Sequence, residues 1–272
     1  MTDLAHRAAE VALAAAREAS DLVMRVYAAP FEVAYKGKDD PVTRADHESN
    51  ALLCDRLSRA FPGLPIVAEE SDPGTYAGFL GAEAVWFVDP LDGTREFVAR
   101  NGEFAVMIGL AERGLATLGV ITAPAWGRAF VGVVGEGAWE VAADGTRTPI
   151  RVSARSSLEG ASMVVSRSRT PPQLAALAAA MGGRTPVALG SSGLKAAVVA
   201  SGDYDIYLQP GRAGMRWDAC SSDALVRAAG GLLTDTSGTA IDYATPELTN
   251  TRGLLATNAL LHGHVIDALA RP

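Results

Sequence analysis

The stretch Val85-Trp86-Phe87-Val88-Asp89-Pro90-Leu91-Asp92-Gly93-Thr94 constrains the fold more than any other. Its apolar, strand-favouring run ends at a carboxylate. That pattern predicts a buried strand delivering Asp89 at its carboxyl end. Pro90, with a fixed φ and no N–H, is expected to bend the chain there. Asp92 follows three residues after Asp89, so both carboxylates can turn toward one point. Gly93 and Thr94 then open a helix or tight turn whose backbone N–H groups can face an anion. Acids that hold a divalent metal beside amides that hold phosphate make a phosphoryl-transfer site. An Asp-Pro turn with an Asp cap accounts for the same letters, and this stretch alone does not choose between them.

The rest of the chain narrows the choice. Its 272 residues can bury a sizeable core, as one large domain or two moderate ones. A formal charge of −7 argues against a nucleic-acid partner, which needs a basic face. It would also repel a small anionic substrate unless bound cations reverse the local field. Cys54 and Cys220 lie far apart and lack metal-ligand spacing, which reads as two reduced thiols in a cytoplasmic protein. The four histidines form no ligand pattern. Charged residues interrupt the alanine-rich N-terminus, so it fails as a signal segment, and no apolar run is long enough for a membrane span.

Helical spacing of Leu4, Ala8, Val11, Ala15, Leu22 and Val26 predicts a long amphipathic helix from an N-cap at Thr2 to Pro30. A short strand over Phe31–Tyr35 and a charged loop over Lys36–Pro41 are expected next. Thr43 and Asp46 then open a second helix, and their spacing resembles a capping pair. Pro65–Ala68 is a brief strand ending at Glu69-Glu70-Ser71, a second place where a strand delivers acids. Beyond Thr94, the runs starting at Phe104, Leu118, Ala129 and Ala138 predict an antiparallel meander. Near Arg151 the pattern changes to alternating strands and helices. The expected division is an α+β half over residues 1–150 and an α/β half over residues 151–272. In the second half Asp218 stands at the start of a helix, where a plain cap would explain it. Gly190-Ser191-Ser192, ahead of Lys195, reads as either a cap or a phosphate cradle.

Four acid-bearing segments occur in order: Asp46 in Val-Thr-x-Ala-Asp, Glu69-Glu70-Ser71, Asp89-Pro-Leu-Asp-Gly-Thr94, and Trp217-Asp218 followed by Ala-Gly-Gly. In order and rough spacing they resemble the inositol monophosphatase superfamily of magnesium-dependent, lithium-sensitive phosphatases, over nearly the whole chain. The resemblance implies a five-layer αβαβα sandwich. It also implies two to three Mg²⁺ ions, held by Glu69, Asp89, the Leu91 carbonyl, Asp92 and Asp218, with Glu70 behind them. Thr94, bonded to Asp46, would orient the attacking water and accept its proton, and the N–H groups of Gly93 and Thr94 would grip the phosphoryl oxygens. No covalent intermediate is required.

Within the superfamily the chain looks most like the bacterial 3′(2′),5′-bisphosphate nucleotidases of the CysQ type. The residues that carry this are Asp-Gly-Thr-Arg-Glu-Phe (92–97), Arg100-Asn-Gly-Glu-Phe104, Val165-Ser-Arg-Ser168 and Gly190-Ser-Ser-x-x-Lys195. Such enzymes convert adenosine 3′,5′-bisphosphate to AMP and relieve product inhibition in sulfate assimilation. The resemblance thus implies a nucleotide bisphosphate as the partner molecule and leaves room for a homodimer. The segment Gln209–Arg216 does not align residue by residue with that branch. Inositol phosphatases place a glutamate shortly before the Trp-Asp, whereas here the segment carries Arg212 and Arg216. Arg167, Ser192, Lys195 and Arg212 are therefore expected to contact substrate, the basic ones through a second phosphate. Two alternatives stand beside this reading: an inositol monophosphatase or related sugar-phosphate phosphatase, and a catalytically inactive relative that binds metal or nucleotide.

Overall fold

The computed structural model describes residues 3–76, 78–167 and 173–270, so Thr2 and Ser168 lie outside the described residues. Helix α1 (Asp3–Tyr27) buries the stripe Ala8, Ala12, Ala15, Ala19, Val23 and Val26, spaced three and four residues apart as an amphipathic helix requires. Strands β1 (Ala34–Gly37) and β2 (Asp40–Val42) form an antiparallel hairpin. This corrects the expected strand over Phe31–Tyr35 and loop over Lys36–Pro41. The hairpin is short and mostly exposed, so no apolar alternation betrays it.

Helix α2 (Arg44–Ala60) follows, then β3 (Ile66–Ala68), β4 (Ala84–Asp92), the short helix α3 (Thr94–Val98), β5 (Ala105–Glu112), β6 (Leu115–Ala123), β7 (Arg128–Val133), β8 (Gly137–Val141) and β9 (Arg147–Ile150). β3 to β9 make one seven-stranded sheet in sequence order, antiparallel except where β3 meets β4. Next come β10 (Met163–Ser166), α4 (Gln173–Ala180), β11 (Val187–Leu189), α5 (Ser192–Ala200), β12 (Ile206–Gln209), α6 (Arg216–Ala228), β13 (Gly231–Thr234), β14 (Leu254–Asn258) and α7 (His262–Leu269). Their strands form a five-stranded sheet of order β11-β10-β12-β14-β13.

Three apolar clusters glue these elements into five layers. One joins α1 and α2 to the large sheet, a second packs α5 and α6 between the two sheets, and a third seats α4 and α7 on the small sheet. The αβαβα sandwich expected from the resemblance is the observed architecture.

Two details of the large sheet position the site. β4 is buried along its whole length, and its side chains alternate. Trp86 and Val88 join the α1/α2 cluster, whereas Val85 and Phe87 face α5 and α6, and Asp89 continues that second face. Pro90 does not end the strand. The ladder to β5 is interrupted between Asp89 and Asp92 and then resumes, which is where a sheet tolerates proline.

The second detail is a row of glycines. Gly109, Gly119 and Gly132 are cross-strand partners on β5, β6 and β7. A Cβ at Gly119 would stand 2.1 Å from the Ser221 carbonyl oxygen, and one at Gly132 would stand 2.7 Å from Cα of Leu225. Side chains are therefore excluded, and α6 lies in a trough directly on the sheet backbone. The trough fixes the axis of α6, whose first turn carries Asp218.

Candidate active site

Asp89 and Asp92 from β4 meet Asp218 from α6. One carboxylate oxygen from each lies within 4.8 Å of the others. The chain's own donors orient each acid. Asp89 Oδ1 accepts from the Leu91 N–H at 3.0 Å, and Asp218 Oδ2 accepts from the Met215 N–H at 2.6 Å. Asp92 Oδ2 accepts from Ser191 Oγ at 2.5 Å, Ser192 Oγ at 3.1 Å and the Gly193 N–H at 2.8 Å, from the N-cap and first turn of α5. Such tethering fixes geometry, but it does not neutralise three acids at one point. Burial, reinforced by Glu69, Asp92 and Asp218, pushes Asp89 well above the usual carboxylate range. Burial, then Asp92 and Glu69, does the same to Asp218. A cluster of this kind holds protons or a cation. Its all-oxygen donor set fits a hard divalent metal ion.

Glu69, just beyond β3, lines the same cavity of about 190 Å³ together with Leu91, Gly93 and Thr94. Lys36 of the β1–β2 hairpin reaches over and donates to Glu69 at 2.9 Å and to Glu70 at 2.6 Å. On the opposite wall Thr94 Oγ1 lies 2.9 Å from Asp46 Oδ1 and 3.1 Å from the Leu91 carbonyl, two acceptors for its single proton. Asp46 Oδ2 accepts from both the N–H and the hydroxyl of Thr43 at 2.7 Å, closing a capping box on α2. The cap and the site contact are both real, one on each oxygen. Burial raises Asp46, and these hydrogen bonds partly offset the rise.

A family model for the inositol monophosphatase family matches residues 5–271. The chain belongs to the inositol monophosphatase family. It is 37% identical to the 3′(2′),5′-bisphosphate nucleotidase CysQ of Salmonella typhimurium over 235 residues, 85% of this chain and 92% of that protein. It is 30% identical to Nus factor SuhB of the same species over 277 residues, covering 98% of this chain and all of that one. The inositol monophosphatase of Anabaena superposes with a TM-score of 0.79 at 30% identity, over 98% of this chain and 96% of that one. The family description and the nucleotidase relatives together indicate a phosphatase.

As a member of the inositol monophosphatase family, the chain brings Glu69, Asp89, Leu91, Asp92, Gly93, Thr94 and Asp218 to one cavity, with Asp46 directly behind Thr94. Four further residues expected at substrate do not line that cavity. Ser192 is buried and spends its hydroxyl on Asp92. Arg167 is exposed but paired with Glu103, which also accepts from the Gly190 N–H at 2.6 Å. Arg212 is exposed on the loop before α6, its guanidinium 3.8 Å from the Met215 sulfur.

Lys195 also stands outside the cavity lining. It is 3% exposed, its ammonium donates to the Ser191 and Leu189 carbonyls, and Tyr207 covers it at 5.2 Å. Burial lowers it to about 8 despite nearby acids. It sits one turn inside α5, and that position faces the sheet.

Sequence reasoning missed four cavity residues, Asp40, Pro41, Arg95 and Glu96, and the Ser191 hydroxyl that holds Asp92. Arg95 and Glu96 adjoin Thr94 in sequence, which was the available signal.

Proposed function

We propose that the protein is a Mg²⁺-dependent phosphatase that removes the 3′-phosphate of adenosine 3′,5′-bisphosphate, giving AMP and phosphate. The observation that carries this reading is the 37% identity to a 3′(2′),5′-bisphosphate nucleotidase along 92% of that protein's length. The site supports it with carboxylates beside a glycine turn, the parts phosphoryl transfer needs. Glu69, Asp89, the Leu91 carbonyl, Asp92 and Asp218 would hold two to three Mg²⁺ ions. When bound, these ions supply positive charge to the phosphoryl oxygens and acidity to water.

The chain's own residues do the rest. Asp46 accepts the Thr94 proton through Oδ1, so a Thr94 lone pair is turned outward to receive a proton from the attacking water. The Gly93 and Thr94 N–H groups receive the equatorial phosphoryl oxygens. Gly93 makes that turn possible. Its φ is +94°, and a Cβ there would stand 2.9 Å from the Glu103 carbonyl oxygen. Lithium, a monovalent mimic, is expected to inhibit by trapping product phosphate.

A second reading, hydrolysis of inositol 1-phosphate, draws on the 30% identity to the Anabaena inositol monophosphatase. Phosphate release from the two substrates, measured side by side, separates them. The nucleotidase reading requires at least about a tenfold preference for the bisphosphate in kcat/KM, worth ~1.4 kcal/mol. Equal values would overturn it.

A further inference from the structure

Six acids and one cation line the cavity. The acids are Asp40, Glu69, Asp89, Asp92, Glu96 and Asp218; the cation is Arg95. A divalent ion at the Asp89–Asp92–Asp218 cluster answers the deepest of these charges. It does nothing for a second phosphate held further out, which would face Asp40 and Glu96. A bisphosphate therefore needs a fixed positive charge at the rim.

The basic side chains around the site are mostly committed. Lys36 is held by Glu69 and Glu70, Arg167 by Glu103, and Lys195 by carbonyls behind the wall. Arg216 donates to the Asp242 carbonyl at 3.0 Å and to Asn250. Arg95 differs. It is exposed, it directly follows Thr94, and no carboxylate among the described residues pairs with it. Its Nε donates to the Asp39 carbonyl at 2.8 Å, and its Nη2 donates to the same oxygen. Asp39 sits at the tip of the β1–β2 hairpin with φ 59°. A neutral acceptor, not a carboxylate, thus holds the guanidinium through Nε and Nη2, and its Nη1 has no hydrogen bond to the described residues. A planar fork held this way is suited to a phosphate dianion.

We propose that Arg95 is a specificity-determining residue whose guanidinium binds the non-reacting phosphate of a bisphosphate substrate while the other phosphate is cleaved at the acidic cluster. This rests on the bisphosphate reading above. The chemistry it recognises is a second phosphate, whatever the base.

The test compares adenosine 3′,5′-bisphosphate with adenosine 3′-monophosphate, which differ by that phosphate alone. In Arg95→Gln, which keeps an N–H for Asp39 but drops the charge, the ratio of the two kcat/KM values should fall at least about tenfold. The fall should come through KM for the bisphosphate. Arg95→Lys, a point charge without the fork, should give an intermediate ratio. An unchanged ratio in Arg95→Gln overturns the proposal. So does an equal loss on both substrates, which would make Arg95 only a fastener for the hairpin. The wild-type comparison with inositol 1-phosphate tests the underlying reading separately, so the two failures are distinguishable.

Discussion

Asp46 divides two tasks between two oxygens, and single substitutions separate them. Thr43→Ala removes the hydroxyl partner of Oδ2 but keeps the N–H, and should cost about 1 kcal/mol of stability, read by chemical denaturation, with a smaller effect on turnover. Thr94→Ala removes the partner of Oδ1 and should lower kcat by roughly 10²–10⁴ with KM much less affected. Near-normal kcat in Thr94→Ala would reduce the pair to a helix cap. Asp223, inside α6, is a different case. One of its oxygens has no partner among the described residues, the other accepts from the Tyr243 hydroxyl at 3.2 Å, and burial lifts it to about 7 although Arg227 pulls the other way. Its folded value lies above its unfolded value, so the fold binds the proton more tightly. Its contribution is then greatest at low pH and declines as pH rises toward 7, by about 1.4 kcal/mol per unit. Asp223→Asn should therefore gain on the wild type in urea unfolding between pH 5 and pH 7. A difference that stays flat with pH would contradict that account. The acids Asp46, Glu69, Asp92 and Asp218 stood out in the sequence because each follows or ends a strand or lies in the first turn of a helix. The fate of Lys195 was not legible, because the direction a helical side chain faces depends on which sheet the helix lands on; the cap at Ser191 could be read, but not its bond to Asp92.

Of the two helices packed between the sheets, α6 has a placement that depends on a missing methyl group. Gly119→Ala would put a Cβ 2.1 Å from the Ser221 carbonyl, so helix and sheet must separate. The expected cost is about 1–3 kcal/mol or more in denaturant unfolding. Because Asp218 rides on the first turn of α6, a higher Mg²⁺ concentration should also be needed for half-maximal turnover. Gly263→Ala, at a helical position with open space around it, should be neutral or stabilising by up to about 1 kcal/mol. If the two variants behave alike, the trough is not what seats the helix. The strands carrying Gly119 and Gly132 could be read from their apolar runs, but the purpose of those glycines could not. Their partner lies about a hundred residues downstream, beyond the reach of local pattern. β9 escaped notice for a local reason: it is an exposed edge strand containing Pro149, where the usual alternation is absent.

At the scale of the molecule, five layers bring acids of strand β4 and helix α6 to one point, in a chain whose formal charge is already −7. The order of the acid-bearing segments made this architecture legible through the family resemblance that they carry. The energetic consequence needed coordinates. Asp89 and Asp218 are both driven well above the ordinary carboxylate value of 3.8, burial first and neighbouring acids second. With folded values above unfolded ones, the metal-free protein is favoured while these groups keep their protons. It should lose stability as pH rises from about 4 through the folded values. A divalent cation removes the repulsion that causes the loss, and it binds the deprotonated form. Thermal unfolding in EDTA and in Mg²⁺, at pH 5.5 and at pH 8, reads both effects. The rise in Tm on adding Mg²⁺ should be larger at pH 8, and phosphatase activity lost in EDTA should return with the metal. An equal rise at both pH values would mean that the three carboxylates already share a cation-independent solution to their repulsion, and the metal centre would have to be sought elsewhere in the cavity.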